Sequence, residues 1–173
     1  MTTTERTSGP KAPSPRTRTK KAATPAPASP PGVASPLTDF DLHLFNEGTH
    51  VRVHQKLGAH PVTTPDGRTG VFFAVWAPNA DAVSVMGDFN QWDAERTPLQ
   101  PRGTSGIWEG FVPDIGQGTL YKYSLRPRFA QQRIDKADPY GFAAEVRPRT
   151  ASVVWDITRY EWADQEWAAQ RQQ

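Results

Sequence analysis

The chain has 173 residues, 36% of them hydrophobic and 10% aromatic, with no cysteine and a formal net charge of +2. This length allows one ordinary domain with tails. The lack of cysteine excludes a disulfide framework and thiolate chemistry. No apolar run is long enough to cross a bilayer, and the first six residues lack an apolar signal core. We therefore expect a cytoplasmic protein without a membrane partner.

The first 36 residues differ from the remainder in charge and composition. They hold six basic residues against Glu5 alone, eight of the 17 prolines, and no aromatic residue. Such a segment buries too little apolar surface to offset its ordering entropy, so we predict that residues 1–36 form a disordered basic tail. The rest of the chain is mildly acidic, which does not favour binding to nucleic acid.

From Leu37 onward the sequence predicts an all-β domain with short flanking helices. Apolar residues between Leu37 and Phe45 indicate a helix capped near Thr38 and ending before Gly48. Short apolar segments then alternate with loops rich in Gly, Pro, Asn and Asp, which is typical of an antiparallel β-sandwich. We predict strands at 61–64, 69–76, 82–86, 106–113 and 119–125, weaker strands near 132–136 and 151–155, and a closing helix capped by Asp164.

The strand at 69–76 is apolar on both of its faces. A sandwich strand that is covered on one side only would be polar on its outer face. We therefore predict that a further layer covers this sheet, either the helix at 37–45 or a neighbouring domain. Trp76 in this strand, and Trp108 in a later one, are interpreted as core residues.

Little in the sequence favours catalysis or a cofactor. Four histidines, at 43, 50, 54 and 60, lack a His-Glu-x-x-His motif, so we expect no metal site. No serine elbow or phosphate loop is present. The carboxylates of Asp88, Asp93 and Glu95 allow a hydrolytic pair, but short acidic residues in a turn more often bond to the local backbone. We expect no catalytic residue.

The loop Gly87–Asp93 places an indole beside amides and carboxylates directly after an alternating apolar strand. Loops at strand ends commonly carry recognition residues. A flat ring among polar groups suits a ligand with one apolar face and many hydroxyls, which describes a sugar. The same residues could instead close a turn over the core.

Seven segments taken together resemble a known family. The segments are 57–60, 73–80, 87–93, 105–109, 120–123, 137–140 and 147–152. In this order they resemble the N-terminal module of bacterial 1,4-α-glucan (glycogen) branching enzymes, a carbohydrate-binding module of family 48, over about Leu42 to Gln173.

The resemblance implies an immunoglobulin-like sandwich over 37–155 and a linker or helix over 156–173. In the family a catalytic (β/α)₈ barrel of glycoside hydrolase family 13 follows. Such a barrel needs roughly 250 residues, so no catalytic position can be assigned here and the chain alone is predicted to be inactive. The implied partners are α-1,4-glucan or glycogen and the missing barrel.

The resemblance also implies a carbohydrate site. Trp92 would stack on a glucose ring and Lys122 would bind sugar hydroxyls, while Asn90 could donate and accept hydrogen bonds. Phe129 is a looser candidate for a second aromatic contact. The alternative for Trp92, a core tryptophan that anchors the turn, stays open. So do two other functions, namely a spacer that only docks on the barrel and a protein-interaction module with a basic targeting tail.

Overall fold

The computed structural model describes residues 33–161 and 163–171 as a sandwich of two antiparallel sheets. Helix α1 spans Asp39–Glu47 and helix α2 spans Gln165–Gln170. The strands are β1 Gly58–Thr63, β2 Thr69–Trp76, β3 Ala80–Gly87, β4 Gln100–Pro101, β5 Ile107–Pro113, β6 Leu120–Pro127, β7 Ile134–Lys136, β8 Ala143–Ala144 and β9 Ser152–Val153. The predicted all-β, immunoglobulin-like class is confirmed. Most of the predicted tail lies outside the described residues.

The first sheet has the order β1-β2-β5-β4, and the second has the order β3-β6-β9-β8 with β7 also paired to β6. The two sheets share one edge through residues 97–101. The Val85 amide donates to the Thr97 carbonyl oxygen, and the Leu99 amide to the Val83 carbonyl oxygen. Immediately afterwards β4 pairs with β5 of the first sheet. This short segment therefore crosses from one sheet to the other. It is too short for apolar periodicity to predict it as a strand.

The core between the sheets is aromatic at its centre. Phe73 of β2 makes edge-to-face contacts with Tyr121 and Tyr123 of β6, at ring-centroid distances of 5.1 and 6.4 Å. Such pairs add about 1 kcal/mol beyond the area they bury. Both tyrosine hydroxyls donate to Asp138 Oδ2, at 2.7 and 3.3 Å, which satisfies them inside the core.

A second core cluster lies on the other face of the first sheet. Residues 33–47, called here the N-terminal strap, lie over this face, and Leu37 is buried there against Phe72 and Ala74 of β2. The strap explains why β2 is apolar on both faces, as the sequence predicted. One detail is wrong: Trp76 is not a core residue, because it is 52% exposed, although its ring meets the Phe45 ring edge-to-face at 5.9 Å.

Both ends of α1 are capped in the predicted way. Thr38 Oγ1 accepts from the Asp41 amide at 3.1 Å, while Asp41 Oδ2 accepts from the Thr38 amide at 2.8 Å, a reciprocal capping box. Gly48 ends the helix with φ 76°, a left-handed conformation that glycine adopts without steric cost. Helix α2 begins after Asp164 as predicted, but the Asp164 side chain makes no capping bond.

The folded unit begins before the predicted boundary at Leu37. Ser35 Oγ donates to Glu109 Oε2 at 2.7 Å, and Lys56 Nζ donates to the Pro36 carbonyl oxygen at 2.8 Å. Val33 packs against the second core cluster. Residues 33–36 are therefore part of the sandwich, although their composition resembles that of the preceding tail.

Candidate carbohydrate site

The loop after β3 is held by the side-chain amide of Asn90. Its Oδ1 accepts from the Gly87 amide at 2.9 Å, and its Nδ2 donates to the Val85 carbonyl oxygen at 3.0 Å and to Thr97 Oγ1 at 2.9 Å. Asn90 is only 5% exposed. The prediction that Asn90 exchanges hydrogen bonds with a ligand therefore needs correction, because both amide hydrogens and its oxygen are used to close the loop.

Trp92 lies at the end of this loop with its backbone fixed and its ring half open. Its amide donates to the Gly87 carbonyl oxygen at 2.9 Å. Its Nε1–H donates to Asp88 Oδ1 at 2.8 Å, and the residue is 37% exposed. Of the alternative interpretation, a core tryptophan that anchors the turn, the exposure does not fit a core position, whereas both hydrogen bonds do anchor the turn. An exposed ring whose only N–H donor is already used presents mainly its π face.

Lys122 points away from the core because its neighbours point into it. Side chains alternate along a strand, and Tyr121 and Tyr123 on either side of Lys122 are buried. Lys122 Nζ donates to Thr150 Oγ1 at 2.8 Å. An ammonium has three donors, so two remain for other acceptors.

Burial of the two tyrosines is reinforced by a buried carboxylate. Burial raises the pKa of Asp138, while hydrogen bonds from the Tyr121 hydroxyl and the Tyr140 amide lower it in part. The pKa of Tyr121 and of Tyr123 is raised well above the ordinary value, first by burial and then by the charge of Asp138. These hydroxyls therefore stay protonated donors, and the orientation of β6 that exposes Lys122 is fixed.

The strand register brings Trp92 and Lys122 to one end of the β3–β6 pair. Lys122 lies opposite Met86, the residue before Gly87, and Gly87 accepts the hydrogen bond from the Trp92 amide. Phe129 is 91% exposed but follows Pro127, at the other end of β6. It is therefore not brought together with Trp92 and Lys122.

The three carboxylates near Trp92 serve local structure. Asp88 accepts from Trp92, and Asp93 accepts from the Glu95 amide at 2.9 Å. Glu95 accepts from Arg133 Nη2 at 2.5 Å, which joins the loop to the start of β7. The Glu95–Arg133 contact was not predictable from the sequence, whereas the spacing of Asp88 and Trp92, four residues apart in a turn, could have suggested the bond between their side chains.

Three of the four histidines also make local contacts. His50 Nε2 lies 3.0 Å from Asp41 Oδ1, and His60 Nε2 lies 3.0 Å from the Leu57 carbonyl oxygen. His43 lies 3.4 Å from Glu47 in the next turn of α1. Within the described residues no three His, Cys, Asp or Glu side chains come close enough to hold a metal ion. Among the same residues, no helix has the length and apolar character needed to span a bilayer.

Comparison with known proteins defines the class. Residues 56–141 match the family model of carbohydrate-binding module 48, also described as the isoamylase N-terminal domain. Both the Trp92 loop and Lys122 lie inside the matched range. The chain thus carries a family-48 carbohydrate-binding module on an immunoglobulin-like sandwich.

Curated relatives make the assignment more specific. The chain is 54% identical over 135 residues to the 1,4-alpha-glucan branching enzyme GlgB of Trichormus variabilis, covering 78% of this chain and 17% of that protein. It is 53% identical over 137 residues to GlgB of Nitrosococcus oceani, covering 79% and 18%. Residues 56–141 belong to the carbohydrate-binding module 48 family, and the chain matches the N-terminal module of branching enzymes. It spans less than a fifth of the length of these relatives.

Solved structures of similar shape include two pullulanases. The pullulanase from Bacillus acidopullulyticus is 20% identical, with a TM-score of 0.49 over 64% of this chain and 13% of that one. A pullulanase from Anoxybacillus sp. LM18-11, solved with maltotetraose, is 25% identical, with a TM-score of 0.49 over 61% and 14%.

Proposed function

We propose that this module binds α-1,4-glucan, the linear portion of glycogen, through Trp92 and Lys122. The observation that carries the proposal is their placement at one end of the β3–β6 pair within a carbohydrate-binding module. The half-exposed indole offers a flat apolar surface, and the ammonium offers two further donors at the same end of the strand pair. A glucose ring presents C–H groups on its faces and hydroxyls at its edge, which matches these two kinds of group.

The parent activity that fits the relatives is the branching reaction, in which α-1,4-linked glucan is transferred to an α-1,6 linkage. Our proposal gives this chain no catalytic step, since Asp88, Asp93 and Glu95 are used in bonds within the loop and to Arg133. Its role is to bind or orient glucan for a catalytic barrel. Glycogen synthesis of this kind fits a cytoplasmic location.

Calorimetric titration with maltoheptaose tests the binding proposal. We expect heat of binding for the wild-type chain and at least a tenfold loss of affinity for Trp92→Ala, the scale of a central aromatic contact. Trp76→Ala is the matched control, since this indole is also about half exposed but lies on the first sheet beside α1. Absence of heat together with unretarded migration in glycogen-containing gels would refute glucan binding.

A second candidate function is docking on the barrel without glucan binding. It is favoured by large apolar side chains that stay exposed in the C-terminal segment, namely Trp155, Ile157 and Tyr160. Exposed apolar clusters commonly mark interaction sites. If docking is the function, separately expressed barrel protein should raise the melting temperature of this chain, and a triple Ala variant of these residues should abolish that rise while leaving maltoheptaose titrations unchanged.

A further inference from the structure

We propose that Asp88 is a positioning residue that fixes the plane of the Trp92 ring for stacking. The inference rests on the proposed function and concerns how that site is built. Asp88 Oδ1 accepts from Trp92 Nε1–H at 2.8 Å, although Asp88 itself is exposed. A carboxylate in water needs no protein donor, so this bond serves the orientation of the indole rather than the solvation of the acid.

The backbone of Trp92 is held by contacts other than the bond to Asp88. Gln91 and Trp92 are consecutive residues with φ 60° and 59°, in the left-handed region that non-glycine residues rarely occupy. Such conformations persist only where the surroundings hold them. Here the surroundings are the three bonds of the buried Asn90 amide and the bond from the Trp92 amide to the Gly87 carbonyl oxygen. The Cα–Cβ direction of Trp92 is therefore set by the loop.

Two side-chain torsions then remain free in a tryptophan. A single hydrogen bond from the far edge of the indole, on Nε1, constrains both of them together. The ring is thus oriented before a ligand arrives, and the entropy of ordering it is not lost on binding. This pre-organisation is the contribution we assign to Asp88.

The bond also decides which part of the ring can contact a sugar. An indole has one donor, and Asp88 takes it, so a sugar hydroxyl cannot use Nε1–H as its partner. The negative charge at the ring edge reinforces the negative potential of the π face. That potential favours the weakly positive C–H groups of a glucose ring. The site should therefore select for an apolar sugar face.

The experiment compares Asp88→Ala with Asp88→Asn. The asparagine keeps an acceptor for Nε1–H, whereas the alanine removes it. We expect Asp88→Ala to weaken maltoheptaose binding about fivefold, the scale of one hydrogen bond, and Asp88→Asn to stay within about twofold of wild type. Asp81→Ala, which removes an exposed aspartate paired with Arg128 at 3.5 Å, is the matched control.

A second readout follows the indole directly. The ¹H–¹⁵N resonance of Trp92 Nε1, identified by its absence in Trp92→Phe, should shift in Asp88→Ala and remain near its wild-type position in Asp88→Asn. A general loss of structure would move many resonances and lower the melting temperature. If Asp88→Ala proves poorly folded, Asp88→Leu makes the same comparison with a side chain of the shape of asparagine.

The outcomes separate the two proposals. Wild-type affinity in Asp88→Ala, alongside lost affinity in Trp92→Ala, overturns the role of Asp88 and leaves glucan binding standing. A shifted indole resonance with unchanged affinity also overturns it, since the bond would then be structural only. If the wild-type chain does not bind maltoheptaose, the proposed function fails, and the ligand role of Asp88 fails with it.

Discussion

The first sheet is covered on its outer face, whereas the second sheet carries accessible candidate ligand contacts at one end. On the first sheet the N-terminal strap buries Leu37 against the outer face of β2. On the second sheet the outward register positions hold Ser84 opposite Ser124, both buried, and then Lys122 opposite the buried Met86. The covered face of the first sheet contributes stability, whereas only the end of the second sheet that carries Lys122 and Trp92 is accessible to a ligand. Mutations on the two faces should therefore separate stability from binding.

Truncating the strap should give the largest effect, on stability alone. Leu37 is 2% exposed, and Leu→Ala changes in cores cost roughly 3 kcal/mol because they leave a cavity. We expect Leu37→Ala to lower the free energy of unfolding by about that amount in urea titrations, with unchanged maltoheptaose affinity for the folded protein. Val51→Ala, at an exposed apolar position, is the control and should change little. A loss of affinity in Leu37→Ala at full occupancy of the folded state would contradict the separation of the two faces.

Gly87→Ala should lower both the stability of the domain and its affinity for glucan. A Cβ at this position would collide with the Leu120 carbonyl oxygen and with the Phe89 ring. The backbone atom cannot rotate away, so we expect a loss of about 2–3 kcal/mol in unfolding free energy, as for other overpacked sites. Because the Gly87 carbonyl oxygen holds the Trp92 amide, glucan affinity should fall as well.

Gly116→Ala is the matched control, since its Cβ would meet no atom within 4 Å. Chemical denaturation and maltoheptaose titration of both variants measure the two effects. Binding at wild-type affinity in Gly87→Ala would show that the position of the Trp92 loop is not set by β3.

The strap should also make stability depend on pH through Asp41. Burial raises the pKa of this carboxyl, but hydrogen bonds from Thr38, Lys56 and His50 outweigh burial and hold the pKa well below its ordinary value. The unfolded chain therefore binds a proton more readily than the folded one. The resulting stability is present above about pH 4, the ordinary aspartate pKa, and is lost as the pH falls through the folded-state pKa.

We expect Asp41→Asn to cost about 2 kcal/mol at pH 7, the scale of hydrogen bonds to a charged group, and progressively less below pH 4. Urea titrations across this range measure the difference. Asp39→Asn, also on α1 but exposed and paired with Arg102 at 3.2 Å, is the control. A cost that is independent of pH would show that the Asp41 charge contributes nothing.

Glu109 has the opposite effect on the pH dependence of stability. Burial raises its pKa, so the folded state binds this proton more readily than the unfolded state and is favoured at low pH.

The two faces also differ in how far the sequence predicted them. The two-sided apolar pattern of β2 was sufficient to predict a covering layer, because burial follows directly from residue type. The exposure of Trp76 was not predictable, because it depends on how much of the outer face of β2 is covered by α1, which carries Phe45. Asn90 shows the same limit in the site, because the sequence predicts a hydrogen-bonding side chain but not whether its partners are a ligand or the loop. The β4 crossover and the Glu95–Arg133 contact depend on tertiary pairing alone.

The smallest predicted effect concerns the outward lysine. Lys122 alternates with two buried tyrosines, so replacing it changes an outward side chain without disturbing the core. We expect Lys122→Ala to leave the unfolding free energy within about 0.5 kcal/mol of wild type and to weaken maltoheptaose binding by about 1 kcal/mol, roughly fivefold, the scale of one hydrogen bond. Calorimetry at two salt concentrations measures this loss.

Lys136→Ala removes the same charge from β7 and is the matched control. Lys136 lies opposite Tyr123 in the register, so it belongs to the other side of the strand pair from Lys122. If both variants weakened binding equally, and both losses disappeared at high salt, the effect would be one of net charge. A loss confined to Lys122→Ala that persists at high salt would show that its ammonium contacts the sugar hydroxyls directly, and that the end of the second sheet carrying Lys122 and Trp92 is the binding site.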